Sequence, residues 1–129
     1  MRDMEDAILL RIFLGEDDMI DGKPLYRAVI EYSRKAGLAG ATALPAPLGF
    51  GISRVLRSGL NLDVGIHLPI VVEIVDRTEK IEAFLPIVDD MMQSGPATIE
   101  RARVLHYGRK KPGLIECFRQ QFFGQPMHS

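Results

Sequence analysis

Read for the placement of apolar and polar side chains, the chain alternates strand-like and helix-like stretches. Residues 7–15, "AILLRIFLG", are a nearly continuous apolar run closed by Gly15 and three acids. That length and branched content predict a buried strand. In residues 22–37, "GKPLYRAVIEYSRKAG", Leu25, Val29 and Tyr32 recur at helical spacing with Ala28 and Ala36 on the same side, while Arg27, Glu31, Arg34 and Lys35 lie elsewhere. Pro24 suits a first helical turn and Gly37 a C-cap, so the stretch predicts an amphipathic helix. Residues 40–50 predict a second strand, and Pro45 and Pro47 make it an edge strand because proline is tolerated at sheet edges and bulges. "PIVVEIVD", residues 69–76, predicts a third strand. Residues 77–95 predict a second helix with Ile81, Leu85, Val88 and Met92 on one stripe, interrupted by Pro86 and ended by Gly95. Residues 96–107 predict a fourth strand.

The order β-α-β-β-α-β is that of the ferredoxin-like α+β sandwich, with a four-stranded antiparallel sheet. Residues 1–107 form the domain, and 108–129 a tail that opens basic. Two helices cover one face of such a sheet. The first strand nevertheless carries Ile8, Leu10, Ile12 and Leu14 on one side and Ala7, Leu9 and Phe13 on the other. The third alternates Ile70, Val72 and Ile74 with Val71 and Val75. Strands apolar on both faces need cover on both, so a second subunit, and hence a homo-oligomer, is expected. Arg11 and Glu73 share the uncovered face on strands that neighbour each other in this fold, so a cross-sheet ion pair is expected.

Composition narrows the function classes. The 129 residues suit one domain, and 47% hydrophobic with 26% charged is ordinary for a globular protein. A net charge of −1 announces neither nucleic acid nor an anionic membrane as partner. No apolar run reaches the roughly 18 residues of a membrane span. The acids flanking the first apolar run are unlike a secretory signal, and the lone Cys117 allows no internal disulfide. A cytoplasmic location is the expectation.

The long connection 49–68 is the stretch that suggests chemistry. It holds Gly49, Gly51, Gly59 and Gly65 with Ser53, Arg54, Arg57, Ser58 and His67. Glycines let backbone N–H groups approach a ligand, and arginines match phosphate oxygens with a planar fork. These residues suit an anion; a flexible or partner-packing loop is the alternative. Arg101 and Arg103 share one face of the fourth strand, ahead of Arg109, Lys110 and Lys111. They form either a solvated edge or one wall of an intersubunit cleft. His67, His106 and His128 are too scattered to spell a metal site. The acids of "GEDDMID" and "VDD" read as caps and turns. An acylphosphatase needs a basic cradle near the amino terminus, where this chain has acids. An RNA-recognition domain needs exposed aromatics on strands one and three, and only Phe13 is present.

"LLRIFLGEDD", "GKPLYRAVIEYSRKAGLAGATAL", "LGFGISR" and "LPIVVEIVDRTEKIEAFLPIVDDM" follow in that order. Together they resemble the PII-like proteins of domain of unknown function 190, over about residues 7 to 107. A fainter likeness joins the true PII signalling proteins, whose regulatory T-loop opens with a G-x-G-basic segment after strand two. On that likeness Gly49, Phe50, Gly51 and Arg54 begin a T-loop. The resemblance implies a homotrimer with ligand clefts between subunits, no catalytic residue, and no obligatory cofactor. A small anionic effector, an adenine nucleotide (AMP, ADP or ATP), is expected, with Gly49, Phe50, Gly51 and Arg54 placed at it by the likeness and Ser53, Arg57, Arg101 and Arg103 by the chemistry of the loop and the fourth strand. Two departures stand out. The segment "MMQSGPAT" has no lysine where PII proteins grip a triphosphate, and no tyrosine between residues 33 and 106 offers a site for uridylylation. One alternative is a module that docks on a membrane transporter or channel without sensing nucleotides. Another is an enzyme acting on a phosphorylated metabolite, with His67 as its base.

Overall fold

The computed structural model describes residues 4–51, 56–58, 67–92 and 94–105. The apolar run is a long strand, β1 (Met4–Gly15). Two short strands, β2 (Met19–Ile20) and β3 (Lys23–Pro24), pair antiparallel across Asp21 and Gly22. Both turn residues have positive φ, +47° and +80°, the mirror-image turn that suits the twist of a hairpin. Helix α1 (Leu25–Lys35) follows, with Pro24 one residue ahead of the helix rather than inside its first turn. At its end Gly37 (φ +79°) donates to the Arg34 carbonyl and Leu38 to that of Ser33. This pair of bonds satisfies the last carbonyls and needs a left-handed residue, so the sequence places glycine there.

The buried face of α1 is Leu25, Ala28, Val29 and Ser33. Tyr32 and Ala36, expected on that face, point to solvent, and the Tyr32 ring lies 5.6 Å from the Lys35 Nζ instead. Ser33 takes the inward position because its hydroxyl donates to the Ile30 carbonyl at 2.7 Å, which satisfies it within the helix.

The expected second strand is shorter than 40–50. The chain makes β4 (Thr42–Pro45), then leaves the sheet for β5 (Leu48–Gly49), which pairs with β6 (Arg57–Ser58) as a separate ribbon. Pro45 still pairs with Ile70 and the Ala46 N–H donates to the Pro69 carbonyl at 2.8 Å, so the two prolines, two residues apart, carry their missing N–H on the outer side of this edge strand. β7 (Pro69–Asp76), helix α2 (Thr78–Met91) and β8 (Ala97–Leu105) complete the domain. Along α2 the buried positions are Ile81, Phe84, Val88 and Met91, with Leu85 and Met92 at the margin, a rotation of the expected stripe by part of a turn. Pro86 lies inside the helix on its exposed side.

The main sheet is antiparallel in the order β4-β7-β1-β8, so the expected ferredoxin-like topology is present and β4 is an edge. One face, with Leu10, Ile12, Ile70, Val72 and Ile74, packs on Leu25, Val29, Ile81 and Phe84 of the helices. No helix of the described residues is long and apolar enough to cross a membrane.

The opposite face has no helix. Leu9, Phe13, Val71, Val75 and Leu44 lie on it, with Phe13, Val75 and Leu44 at 37%, 38% and 46% exposure. At its centre Arg11 reaches both neighbouring strands. Its Nε is 2.8 Å from Glu73, the partner expected from sequence, and its Nη1 is 2.6 Å from Glu100. The Glu73 hydrogen bond is the largest influence and raises the Arg11 pKa; desolvation opposes it, and the pull of Glu100 and Glu73 adds to the rise. One cation between two anions leaves this face with an excess negative charge, with Thr98 opposite Arg11, Thr42 opposite Glu73 and apolar side chains beyond them.

Candidate functional site

Where β1 ends, β7 begins and the chain turns into β8, the described residues enclose a cavity of about 530 Å³. Phe13, Leu14 and Gly15 form one wall and Pro69, Ile70 and Val71 a second. Ser94, Gly95 and Pro96 close one end, Asp17 and Asp18 stand at another, and Phe50, Gly51 and Arg57 come from the root of the 49–68 connection. This volume is that of an ordinary small-molecule site.

Local geometry explains why these elements meet. Gly95 has φ +86°, and a Cβ there would lie 2.8 Å from the Phe13 carbonyl oxygen. Glycine therefore lets the chain pass close to β1, and the Phe13 N–H then donates to the Pro96 carbonyl at 3.1 Å. Gly49 has a milder constraint, its Cβ position being 3.2 Å from Pro69 Cγ. The turn after β1 is shaped by Asp18, whose carboxylate accepts from the Gly15 N–H at 2.9 Å and whose own N–H donates to the Gly15 carbonyl at 3.1 Å. Here an acid acts as a turn former, as the sequence suggested.

The other two acids of that turn were not legible as partners. Asp17 Oδ2 is 3.4 Å from Arg57 Nη2, and Glu16 Oε1 is 3.4 Å from His67 Nδ1. Arg57 also donates to the His67 carbonyl at 3.2 Å, and the Glu16 N–H donates to the Leu68 carbonyl at 2.9 Å. The partners are 40 and 51 residues apart, which no local pattern reveals.

Of the residues expected to bind ligand, Phe50, Gly51 and Arg57 face the cavity and Gly49 stands beside them in the ribbon. Ser53 and Arg54 lie outside the described residues, as do His106, Cys117, His128 and the 108–129 tail. Arg101 and Arg103 are exposed on β8, opposite Ile8 and Asp6 of β1. Pro96 borders the cavity, so at about 3.3 Å per residue Arg101 is ~17 Å along the strand from it. One chain does not bring them to Arg57. The described lining thus has one cation, Arg57, and two carboxylates, Asp17 and Asp18, around largely apolar walls. Among the described residues no three His, Cys, Asp or Glu side chains gather as metal ligands would.

Comparison with known proteins follows the same outline. Residues 7–104 match the profile of DUF190, described as an uncharacterized ACR. A UPF0166 protein of Aquifex aeolicus is 38% identical over 98 residues, 76% of this chain and 92% of that one. A UPF0166 protein of Methanocaldococcus jannaschii is 28% identical over 91 residues, 70% and 83% of the two chains. Among solved structures, a Thermus thermophilus chain described as a PII-like signalling protein superposes with TM-score 0.60 at 20% identity, covering 80% of this chain and 93% of that one. CPII of Thiomonas intermedia, described as a nitrogen regulatory PII-like protein bound to ADP, AMP and bicarbonate, gives 0.55 at 17% identity, covering 82% and 94%. At such identities the structural likeness is one of fold.

Proposed function

The chain belongs to the DUF190 family, and on that footing we propose that it is a non-enzymatic, PII-like regulatory protein that binds an adenine nucleotide as a homotrimer. The observation that carries this reading is the cavity at the root of the 49–68 connection, bordered by Phe50, Gly51 and Arg57. Its apolar and aromatic walls suit a purine, whose flat faces lose little on leaving water. Of its two carboxylates, Asp18 suits a ribose hydroxyl, which can donate to it, while Asp17 faces Arg57. The phosphate falls to Arg57, the one cation of the described lining, with Ser53, Arg54 and the Arg101 and Arg103 of a neighbouring subunit as the further cations and donors of the proposed set. The binding of ADP and AMP by the structural relative CPII is consistent with this class of ligand.

Assembly follows from the uncovered sheet face. Leu9, Phe13, Leu44, Val71 and Val75 are costly to leave in water, and three such faces turned toward a common three-fold axis cover one another. A ligand then acts as a signal only if it binds one state of the 49–68 connection better than another.

The experiment is thermal unfolding of the full chain with AMP, ADP and ATP, run in parallel on Phe50→Ala and Arg54→Ala. Binding to the native state raises the melting temperature by mass action. The expected result is a rise with at least one nucleotide that both substitutions diminish; no rise with any of them overturns the reading. Hydrolysis of ATP that His67→Ala abolishes would replace it with the enzymatic one.

A second reading, docking on a membrane transporter or channel without nucleotide sensing, is favoured by Leu48, Phe50 and Leu56. These large apolar side chains near the ribbon are 57%, 58% and 63% exposed. On that reading nucleotides leave unfolding unchanged, and Leu56→Ala weakens binding to the purified channel.

A further inference from the structure

The turn after β1 touches the 49–68 connection at two separate places. Glu16 meets its far end through the Leu68 carbonyl and the His67 ring, and Asp17 meets Arg57 of β6. Arg57 in turn holds the His67 carbonyl, which closes the circuit. Asp17 and Arg57 also both line the cavity, so the cation best placed to receive an anionic ligand already faces a carboxylate. The pair is open to water, with side-chain exposures of 24% for Arg57 and 41% for Asp17. Parting it leaves Asp17 where solvent can hydrate it, so the exchange costs little. A phosphate brings more charge and more acceptor oxygens to the same guanidinium fork than a single carboxylate contact does.

We infer that Asp17 is a specificity-determining internal competitor: it occupies Arg57 in the empty site and yields it to a ligand phosphate, which frees β6 from the turn. This rests on the nucleotide reading above and adds how that site reports its occupancy. The competition weakens the binding of phosphate-bearing ligands and leaves phosphate-free ones alone. For an ion pair this exposed the loss is small, between about 1.4-fold and 5-fold in affinity.

The test is calorimetric titration of the full-length wild type, Asp17→Asn and Glu16→Gln with adenosine, AMP and pyrophosphate. Amide hydrogen exchange at residues 56–58 is followed alongside. Asp17→Asn is expected to bind AMP and pyrophosphate about 1.4-fold to 5-fold tighter with adenosine unchanged. Glu16→Gln, whose carboxylate faces His67 rather than Arg57, leaves the ratio of AMP to adenosine affinity as in wild type. Exchange at 56–58 quickens both in ligand-free Asp17→Asn and in wild type saturated with AMP. Equal effects on adenosine and AMP, weaker AMP binding, or unchanged exchange in Asp17→Asn overturn the competitor while the nucleotide site stands. If none of the three compounds binds any of the proteins, the nucleotide reading falls and the competitor falls with it.

Discussion

Gly95 offers a test of how tightly β8 is drawn onto β1, because Gly22 provides an internal control. The two have almost the same φ, +86° and +80°, but a Cβ on Gly22 meets nothing within 4 Å while one on Gly95 sits 2.8 Å from the Phe13 carbonyl oxygen. Gly22→Ala therefore measures the left-handed conformation alone, at about 1 kcal/mol. Gly95→Ala bears that cost and must also push β8 away from Phe13, straining or breaking the Phe13–Pro96 hydrogen bond of 3.1 Å. Adding ~1 to 2 kcal/mol for that bond and the displaced contacts gives about 2 to 3 kcal/mol in total. For a chain of this length each kcal/mol lowers the melting temperature by roughly 4 °C, so losses of ~4 °C and ~8 to 12 °C are expected. Urea unfolding at one fixed protomer concentration reads the same difference as a shift of midpoint with unchanged slope. Equal losses in the two variants would refute the close approach. Gly95 also borders the cavity, so its variant should respond less to AMP than Gly22→Ala does.

Two other outcomes are open to measurement. The Lys23 hydrogen bond and charge, aided by Arg27 and Lys35, hold the Glu31 carboxyl below its ordinary pKa. A lowered folded pKa stabilises the fold above the unfolded pKa, and the gain disappears as pH falls through the folded one. Lys23→Met should thus raise the Glu31 titration midpoint in a carbon-detected NMR series, and its stability deficit at neutral pH should close in acid; an unmoved midpoint would rule this out. On the uncovered sheet face, Val75→Lys places a charge opposite Leu9. It should convert the proposed trimer to a monomer in light scattering with the helical signal intact, and an unchanged assembly would point to another interface.

Long-range order was readable wherever one element carried its own periodicity. β1, β7 and both helices announced themselves through apolar spacing, and Gly37 through the demand for a left-handed residue. The Arg11–Glu73 pair followed once strand order was known, yet Glu100 as its second partner depends on the exact register of β8. The β2–β3 hairpin had a signal in Asp21-Gly22 that the helix start beside it obscured. The β5–β6 ribbon had none, since strands of two residues have no period to detect. The links from Asp17 to Arg57 and from Glu16 to His67 lay beyond any local reading for the same reason. Their spacing is set by the path of the whole sheet.

The two rims of the sheet differ in a way that bears on misassembly. β4 is four residues long and runs into Pro45, with Pro47 just beyond, whereas the described β8 runs nine residues on the other rim without a proline. Fibrils elongate by adding strands to both ends of a growing sheet, and a monomer with one blunt rim cannot relay that growth. Two copies that meet through β8 present only β4 to the solution, so the stack terminates itself at a pair. Replacing the two prolines would remove that stop, which makes two missing donors on an outer rim a safeguard for the protein at high concentration.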